Sequence, residues 1–277
     1  MNELLMRRRY AGKKAGGMDY SKEYFTIESL ADNNVISILA SAAGIEKTVS
    51  CSTDKATWTS VTSSTEGATL ATLNNGDKLY IKGSNTAYGT SSAYNTINAS
   101  GDFDVSGNIM SLLYGDSFQG KTEFPTGSTY TFNSLFKSNT KIKSAGNLML
   151  PANTMVEYCY ANLFDRSSLV TPPELPSTTL AKSCYEGLFD RCSSLETAPF
   201  LPAKTLYARS YIQLFFRCSK ISSITCLATN ISANSCVTNW VSGVASSGTF
   251  VKAASMTGWS SGGGGIPSGW TVEDYTE

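Results

Sequence analysis

A repeat with a period of 25 to 26 residues occupies the second half of this 277-residue chain and constrains its fold more than any other feature. Apolar residues followed by proline or alanine recur in one frame, at Phe124-Pro125, Leu150-Pro151, Leu175-Pro176, Leu201-Pro202 and Leu227-Ala228. Leu-Phe pairs form a second column that Trp240 closes, at Leu135-Phe136, Leu163-Phe164, Leu188-Phe189 and Leu214-Phe215. A unit of this length cannot bury its apolar side alone, so neighbouring units must stack and share a core. The repeat therefore predicts a solenoid, which offers an extended surface for binding.

Two segments of the unit predict different local structures. Four apolar residues lie at spacings of three, one and three, which is one face of a short helix or helical turn: Tyr185, Leu188, Phe189 and Cys192. The segment 195–201 alternates as an extended strand, with Leu195 and Leu201 inward and Glu196 and Phe200 outward. Prolines lack the N–H that a sheet ladder needs, so we expect thin and irregular strands on this side: Pro172, Pro173 and Pro199.

The first hundred residues have a different pattern, with short β-rich segments between turn residues. These segments are Tyr24–Ile27, Val35–Leu39, Thr48–Ser52, Thr57–Val61 and Lys78–Lys82. They predict a small antiparallel β-sandwich. We interpret Trp58 as a core residue of this sandwich, with a ligand-stacking role as the alternative.

The predicted fold class is therefore mixed but mainly β. The sequence divides into a basic N-terminal arm at 1–17, a β-sandwich-like domain at 18–106, a solenoid at 107–240 and a C-terminal cap at 241–277. A stacked array needs an atypical last unit that shields it from solvent. The residues expected to do so are Trp259, Ile266, Pro267 and Trp270.

The N-terminal arm combines positive charge with a few apolar residues. One interpretation is a disordered tail, another is a peptide that docks into a partner subunit, and nucleic-acid contact is the third. The docking hypothesis assigns contacts to Leu4, Leu5, Arg7, Arg8, Arg9 and Tyr10. No apolar segment of signal-peptide type follows the positive charges, so the sequence predicts no conventional secretion.

Composition excludes much catalytic chemistry. The chain has no histidine, which removes Ser-His-Asp and Cys-His nucleophile systems and the usual zinc and iron ligand sets. We predict no catalytic residues, no metal and no cofactor; the enzymatic alternative is a glycan hydrolase that needs only two carboxylates. Charge is balanced at 22 basic and 22 acidic residues, and no apolar run is long enough to cross a bilayer, so neither nucleic acid nor membrane is an expected partner.

The cysteines occupy repeat positions. One column contains Cys159, Cys184, Ser210 and Cys236, and another contains Asn139, Cys192 and Cys218. Replacement by serine and asparagine indicates a small buried position, and the total of seven is odd. We expect free thiols, although a bridge between adjacent coils is geometrically conceivable.

Charged pairs also recur at equal phase, as Asp165-Arg166 and Asp190-Arg191, while the next repeat has Phe216-Arg217. A column of three arginines could bind an anion or a glycan. The simpler interpretation is that each pair caps or bridges its own coil. The carboxylates of Glu174, Glu186 and Glu196 form no acid/base pair that sequence alone identifies.

The motifs Leu-Pro-x-x-Thr-Leu, Tyr-x-x-Leu-Phe and Cys-x-x-Leu make residues 109 to 277 resemble the BspA-like leucine-rich repeats of gut anaerobes and their phages. The Asn/Cys column is similar to the buried ladder position of such repeats. The run from Trp240 through Ile266 to Trp270 looks like their end cap. This resemblance implies adhesion or protein–protein contact without catalysis.

Without a predicted secretion signal, the function that we expect is that of a phage virion protein, as a fibre, tail or capsid decoration. Its N-terminal arm and sandwich would dock to other virion proteins, and its repeats would contact a host surface protein or glycan, with a homo-oligomer also conceivable. The alternative is an adhesin on a bacterial cell surface. Outward strand positions that differ between repeats are the expected contacts: Glu174, Glu196 and Phe200.

Overall fold

The computed structural model describes residues 18–276, and the protein is mainly β, with 29% of residues in strands and 4% in helices. The strands are β1 (Phe25–Ser29), β2 (Asn34–Ala40), β3 (Thr48–Ser52), β4 (Thr59–Thr62), β5 (Ala68–Leu73), β6 (Lys78–Gly83), β7 (Asn95–Ala99), β8 (Phe103–Asn108), β9 (Ile142–Met149), β10 (Ser223–Cys226), β11 (Thr249–Lys252) and β12 (Thr271–Asp274). A single-turn helix, α1, covers Ser111–Tyr114, and 3-10 turns cover Tyr20–Lys22 and Gly115–Ser117.

The N-terminal strands form two sheets, ordered β4-β3-β6-β1-β8-β9 and β5-β2-β7. Pairing is antiparallel except between β8 and β9, which are parallel. Apolar side chains alternate along the strands, so that Ile36, Ile38 and Ala40 of β2 are buried while Val35 is exposed. Because β9 lies in the repeat region, the larger sheet continues across the boundary predicted at residues 106/107.

Trp58 lies outside the core, and the prediction that it is a core residue is wrong. Its indole is half-buried, and the Lys82 Nζ atom lies 3.9 Å from the centre of the indole ring. The preceding turn folds around the Asp54 carboxylate, which accepts hydrogen bonds from the backbone N–H groups of Ala56 and Thr57. This turn places Trp58 at the surface against Tyr24, with a ring separation of 5.0 Å.

The spacing at 185–192 predicts a short helix or a helical turn, and the structure has successive turns there and no α-helix. Alternate N–H groups donate to the next repeat, from Tyr185 to Ser210 O at 3.2 Å, from Gly187 to Ile212 O at 2.9 Å and from Phe189 to Leu214 O at 3.1 Å. The N–H groups between them close turns within the repeat. An α-helix would instead direct every N–H to the carbonyl four residues earlier, so no neighbouring coil could bond to it.

We call this arrangement the turn ladder (residues 130–138, 158–166, 183–191, 209–217 and 235–243). Every fourth residue of it has a positive φ, which turns the chain back toward the adjacent coil. These residues are Tyr130, Ser134, Ser138, Tyr158, Asn162, Arg166, Ser183, Gly187, Arg191, Arg209, Gln213, Arg217, Ser235, Asn239 and Gly243. A helix and the turn ladder both place inward side chains four residues apart. The spacing alone is therefore compatible with a helix.

Two columns of aromatic rings fill the core of the repeats. The first consists of Tyr88, Phe132, Tyr160, Tyr185, Tyr211 and Trp240, with ring separations of 5.8 to 6.2 Å. The second consists of Phe25, Phe136, Phe164, Phe189, Phe215 and Trp240, with separations of 5.4 to 6.5 Å. Both begin in the N-terminal part and converge on one indole. Trp259 then stacks on Trp240, with ring centres 5.4 Å apart. Trp270 of the predicted cap is also buried.

The opposite side of the repeats is extended but only partly organised as a sheet. β10, β11 and β12 form a parallel three-stranded sheet, whereas the segment 195–201 joins its neighbour through an isolated bridge between Leu201 and Cys226. The alternation at 195–201 does not form a strand of its own, and the expected thin and irregular strands are reduced here to that bridge. Leu195 and Leu201 are buried and Glu196 is exposed, in agreement with the predicted alternation, while Phe200 is half-buried.

All seven cysteines are buried and none forms a disulfide, including Cys51, which lies in β3 outside the repeats. The Asn/Cys column has a common role, because its members donate hydrogen bonds to carbonyl groups of the preceding layer. Asn139 Nδ2 bonds to Ile97 O, Cys192 Sγ to Phe164 O and Cys218 Sγ to Phe189 O, each at 2.9 Å.

Candidate binding surface

A groove opens on the extended side of the repeats, between β9 and β10. Its walls are two equivalent segments, 171–174 and 197–200, which have the sequences Thr-Pro-Pro-Glu and Thr-Ala-Pro-Phe. Neither segment forms a strand. Because proline has no N–H to donate, Pro173 and Pro199, one repeat apart, interrupt the sheet at the same level of two adjacent coils.

The groove has a volume of about 220 Å³. Pro173 and Pro199 are buried in its floor, while the Thr171 and Thr197 side chains are exposed at its edge. Gly146 of β9 closes one end, where an added Cβ would lie 3.0 Å from the Thr171 Cγ2 atom. A larger residue at Gly146 would therefore narrow the groove.

Glu174 and Phe200 occupy equivalent positions in the two walls, and both are half-buried. The Phe200 ring packs against Tyr275, with ring centres 5.9 Å apart and an interplanar angle of 42°. Among the described residues that line the groove, Glu174 has the one ionisable side chain. The described lining residues thus combine a carboxylate, hydroxyl groups and an apolar wall, and none of them is positively charged.

The structure brings together two of the three predicted contact residues. Glu174 and Phe200 both line the groove, whereas Glu196 lies outside it and forms an ion pair with Lys220 at 3.6 Å. The contacts predicted in the N-terminal arm, at Leu4, Leu5, Arg7, Arg8, Arg9 and Tyr10, lie outside the described residues.

The prediction from sequence missed the threonines and prolines of the groove. Pro172, Pro173 and Pro199 were identified as interruptions of the sheet but not as the walls of a site. The signal that was available is the 26-residue spacing from Thr171 to Thr197 and from Pro173 to Pro199. Matched prolines in adjacent coils place both interruptions of the sheet at the same level.

The charged column on the turn ladder is paired locally. Arg191 Nη1 lies 3.3 Å from Asp190 Oδ2 in its own coil, and Lys137 Nζ lies 3.2 Å from Asp165 Oδ2. Burial raises the pKa of Asp190, and the adjacent Asp165 raises it further, while the nearby arginines lower it. This geometry favours the interpretation in which each pair caps or bridges its own coil, and it does not favour an anion site formed by three arginines.

Arg217 has Phe216 where the other two repeats have aspartate. Its guanidinium lies 5.0 Å from the Phe216 ring centre, and that of Arg191 lies 5.5 Å from the same ring. Both distances are those of cation–π contacts. The aromatic residue therefore takes the place of a carboxylate as partner of the arginine column.

The buried thiols are not suited to nucleophilic chemistry. Burial raises the pKa of Cys192 and of Cys226 to about 12, so both remain protonated near neutral pH. Within residues 18–276, no group of three or more histidine, cysteine, aspartate or glutamate side chains could hold a metal ion. No helix in the same part of the chain is long and apolar enough to cross a membrane.

Comparison of the chain with protein-family models, with curated proteins and with solved structures gives no match.

Proposed function

We propose that this protein is a non-catalytic structural protein of a phage particle, as a fibre, tail or capsid decoration. In this proposal residues 107–240 are a solenoid of BspA-like leucine-rich repeats, capped by residues 241–277 and carried on a β-sandwich-like domain at 18–106. The arm at 1–17 and the sandwich dock to other virion proteins. The repeats contact a host surface molecule or a neighbouring virion protein.

The observation that carries the proposal is that successive repeats are coupled by backbone hydrogen bonds along the turn ladder and by packing in a shared core. Each coil of the turn ladder donates a row of backbone hydrogen bonds to the next, and the aromatic columns continue through the same coils. A stack held in this way keeps its outer surface in a fixed shape. A rigid, regularly spaced surface favours recognition, because little conformational entropy is lost when a partner binds.

The groove between 171–174 and 197–200 supports contact with a partner and does not meet the requirement of the hydrolase alternative. Such a hydrolase needs two carboxyl groups about 5 to 9 Å apart on one groove. Within the described part of the chain this groove has the Glu174 carboxylate alone, and Glu196 is paired with Lys220 outside it.

The unpaired thiols support the proposal that the protein assembles in a reducing compartment, such as the host cytoplasm in which a virion protein is made. Free buried cysteines are common in proteins that fold where thiols stay reduced. Cys159 and Cys184 lie in adjacent coils, and Cys192 and Cys218 are one coil apart, yet none of them is bridged.

The test is mass spectrometry of gradient-purified phage particles from a culture that carries the gene, with the total lysate as the control. The proposal expects enrichment in the particle at a fixed stoichiometry. Absence from the particle would overturn it. Recovery with the bacterial cells alone, with labelling of the protein on intact cells, would instead support the surface adhesin.

A further inference from the structure

We propose that the outer edge of β12 binds the N-terminal arm of a second copy of this chain, which adds to the sheet as a further strand. This inference rests on the proposed function, because it names the partner of the docking arm at 1–17. It follows from the position of β12 in its sheet, from the charges on the strand and the arm, and from the reach of the arm.

β12 is an edge strand. Its parallel sheet has the order β10-β11-β12, and within residues 18–276 no strand pairs with the other side of β12. The Thr271 N–H donates to Gly248 O on the β11 side at 2.8 Å. Because the backbone groups of successive residues in a strand point to opposite sides, those of Val272 and Asp274 lie on the outer edge. Such an edge can bind an extended segment through main-chain hydrogen bonds.

The side chains of β12 are suited to a basic partner. All four residues of the strand are exposed, and Val272 has 45% of its surface accessible. Glu273 and Asp274 are consecutive, so one carboxylate lies on each face of the sheet. Asp274 pairs with Lys252 of β11, and this lysine balances one of the two carboxylates. The two strands together therefore keep a negative charge beside an apolar side chain.

The arm has the complementary composition. Arg7, Arg8 and Arg9 are consecutive, so an extended segment with this sequence places positive charge on both faces of the sheet. Opposite charges on neighbouring strands stabilise their pairing, whereas like charges destabilise it. The carboxylates of β12 therefore disfavour pairing with the β12 edge of another copy and favour the arginines of its arm. Leu5 and Tyr10 on either side of the arginines can supply apolar contact to Val272.

The start of the described chain lies far from β12. Ser21 O accepts a hydrogen bond from Asn108 Nδ2 of β8, and a turn holds Asp19 O 3.1 Å from the Lys22 nitrogen. From β8, the extended side continues through β9, the segments 171–174 and 197–200, β10 and β11 to β12. At about 4.8 Å for each of these six steps, the distance is about 29 Å.

This distance favours the arm of another copy over the arm of the same chain. A chain of ten residues, the separation of Arg9 from Asp19, spans about 18 Å on average and about 36 Å at most. The arginines of the same chain would therefore reach β12 only with this connection almost fully extended. The arm of another copy has no such restriction.

The contact joins two different surfaces, so it is heterologous. Each copy offers one arm and one edge, and the contact can repeat from copy to copy. It therefore produces rings or linear chains rather than a closed two-fold dimer.

The experiment is sedimentation velocity of the purified full chain under reducing conditions, from about 1 to about 100 μM. We expect oligomers that grow with concentration, with a dissociation constant on the order of 10 μM, as for a small exposed interface. High salt should weaken the association, because it screens exposed charges. Glu273→Arg should weaken it about tenfold or more. Glu66→Arg is the matched control, since it reverses an exposed carboxylate on the turn before β5, and should associate as the original chain does.

A second pair of variants tests the backbone of the edge. Val272→Pro removes an N–H on the outer side without removing a hydrogen bond to β11, and proline is tolerated at such a position. It should weaken association about tenfold, whereas Val272→Thr keeps the N–H and should retain most of the association. Circular dichroism verifies that both variants are folded. Equal association of the two folded variants would overturn the inference.

Mixing tests whether the arm and the edge come from different copies. The variant that combines Arg7→Glu, Arg8→Glu and Arg9→Glu should be monomeric by itself. A mixture of it with Glu273→Arg should associate, because the intact arm of one variant meets the intact edge of the other. A mixture that stays monomeric would overturn the inference.

Two further results would also overturn the inference: an original chain that is monomeric at every concentration, or equal association of Glu273→Arg and Glu66→Arg. Particle association is measured separately. A monomeric chain that is present in phage particles rejects the arm-to-edge contact alone. Self-association through the arm and β12, with absence from particles, rejects the virion function alone.

Discussion

Two tyrosines in the first aromatic column have hydroxyl groups without a hydrogen-bond partner among the described residues, although both are fully buried. These are Tyr160 and Tyr185. A buried hydroxyl of this kind costs about 1 to 3 kcal/mol. Phe132 occupies the same column one coil earlier without a hydroxyl, so phenylalanine already fits the stacking geometry.

We therefore expect Tyr160→Phe and Tyr185→Phe to leave the free energy of unfolding unchanged or to raise it by about 1 kcal/mol. Tyr88→Phe is the contrasting variant, because the Tyr88 hydroxyl donates to Leu112 O at 3.1 Å, and it should lower stability by about 1 to 2 kcal/mol. Chemical denaturation of the three variants measures this difference. A loss in Tyr160→Phe as large as that in Tyr88→Phe would contradict the assignment.

Asn139 makes three side-chain hydrogen bonds, one of which joins the first repeat to the N-terminal strand β7. Its Nδ2 donates to Ile97 O, and its Oδ1 accepts from the N–H groups of Lys141 and Ile142 at 2.9 and 3.0 Å. Asn139→Ala should lower the free energy of unfolding by about 2 to 4 kcal/mol, since buried partners are left unpaired. Asn133→Ala is the control, because the Asn133 hydrogen bonds are 3.3 to 3.5 Å long, and it should cost under about 1 kcal/mol. Equal losses in urea denaturation would refute this role.

The exchange of asparagine and cysteine indicated a small buried position in the sequence, and that interpretation agrees with the structure. The hydrogen-bond donation did not emerge from the sequence, because the acceptor carbonyl lies 28 or 29 residues away for the cysteines and 42 residues away for Asn139. A sequence pattern identifies the residues that occupy equivalent positions in successive repeats. It does not identify the atom of the preceding layer that each residue contacts.

At the scale of the element, the turn ladder replaced a predicted helix. The spacing of Tyr185, Leu188, Phe189 and Cys192 correctly indicated the inward residues, all of which are buried. The backbone differs because a neighbouring coil accepts alternate N–H groups, and this gain exists only when coils stack. Periodicity of side chains could not distinguish the two conformations.

Gly187 tests the ladder directly. Its φ is +58°, and an added Cβ would lie 2.5 Å from the Asn162 Oδ1 atom of the preceding coil. Gly187→Ala should therefore lower stability by about 1 to 2 kcal/mol, of which about 1 kcal/mol is backbone strain and the rest is displacement of the Asn162 side-chain amide. Gly44→Ala is the matched control, with φ of +85° and no atom within 4 Å of the added Cβ, and should cost only the strain. Thermal denaturation measures the loss of stability in both variants. Equal losses would show that the contact between the added Cβ and Asn162 has no effect on stability.

The prolines act at the same scale. They were expected to thin the sheet, and the structure has no continuous strand at 197–200. The interruption of the sheet forms a groove because the segments 171–174 and 197–200 are aligned in adjacent coils. The outward positions that selected the three predicted contact residues place Glu174 and Phe200 on the groove, whereas Glu196 lies outside it beside Lys220.

At the scale of the whole molecule, stability should depend on pH mainly on the alkaline side. The chain has no histidine, and all seven thiols are buried. Burial raises the pKa of Cys51, Cys184, Cys192 and Cys226 from 9.0 to about 12. The unfolded chain loses these protons from about pH 9 while the folded chain keeps them, so stability falls as pH rises from about 9 to 12, by up to about 1.4 kcal/mol per pH unit for each thiol.

Guanidinium denaturation under reducing conditions at pH 7, 8, 9 and 10 measures this dependence. We expect little change between pH 7 and 8 and a steep loss above pH 9. Cys226→Ala lowers stability overall but should reduce the alkaline slope by the contribution of one thiol. An unchanged slope in that variant would contradict the assignment.

The sequence alone determined that the protein is mainly β, that a repeat of 25 to 26 residues governs its second half and which apolar residues point inward, because these depend on hydrophobic periodicity within a unit. The tertiary structure alone decided the turn ladder, the convergence of both aromatic columns on Trp240 and the groove lined by Glu174 and Phe200. Each of these arises from hydrogen bonds or packing between adjacent layers. Such contacts join residues a full repeat apart, and their energies appear only when the layers are in register.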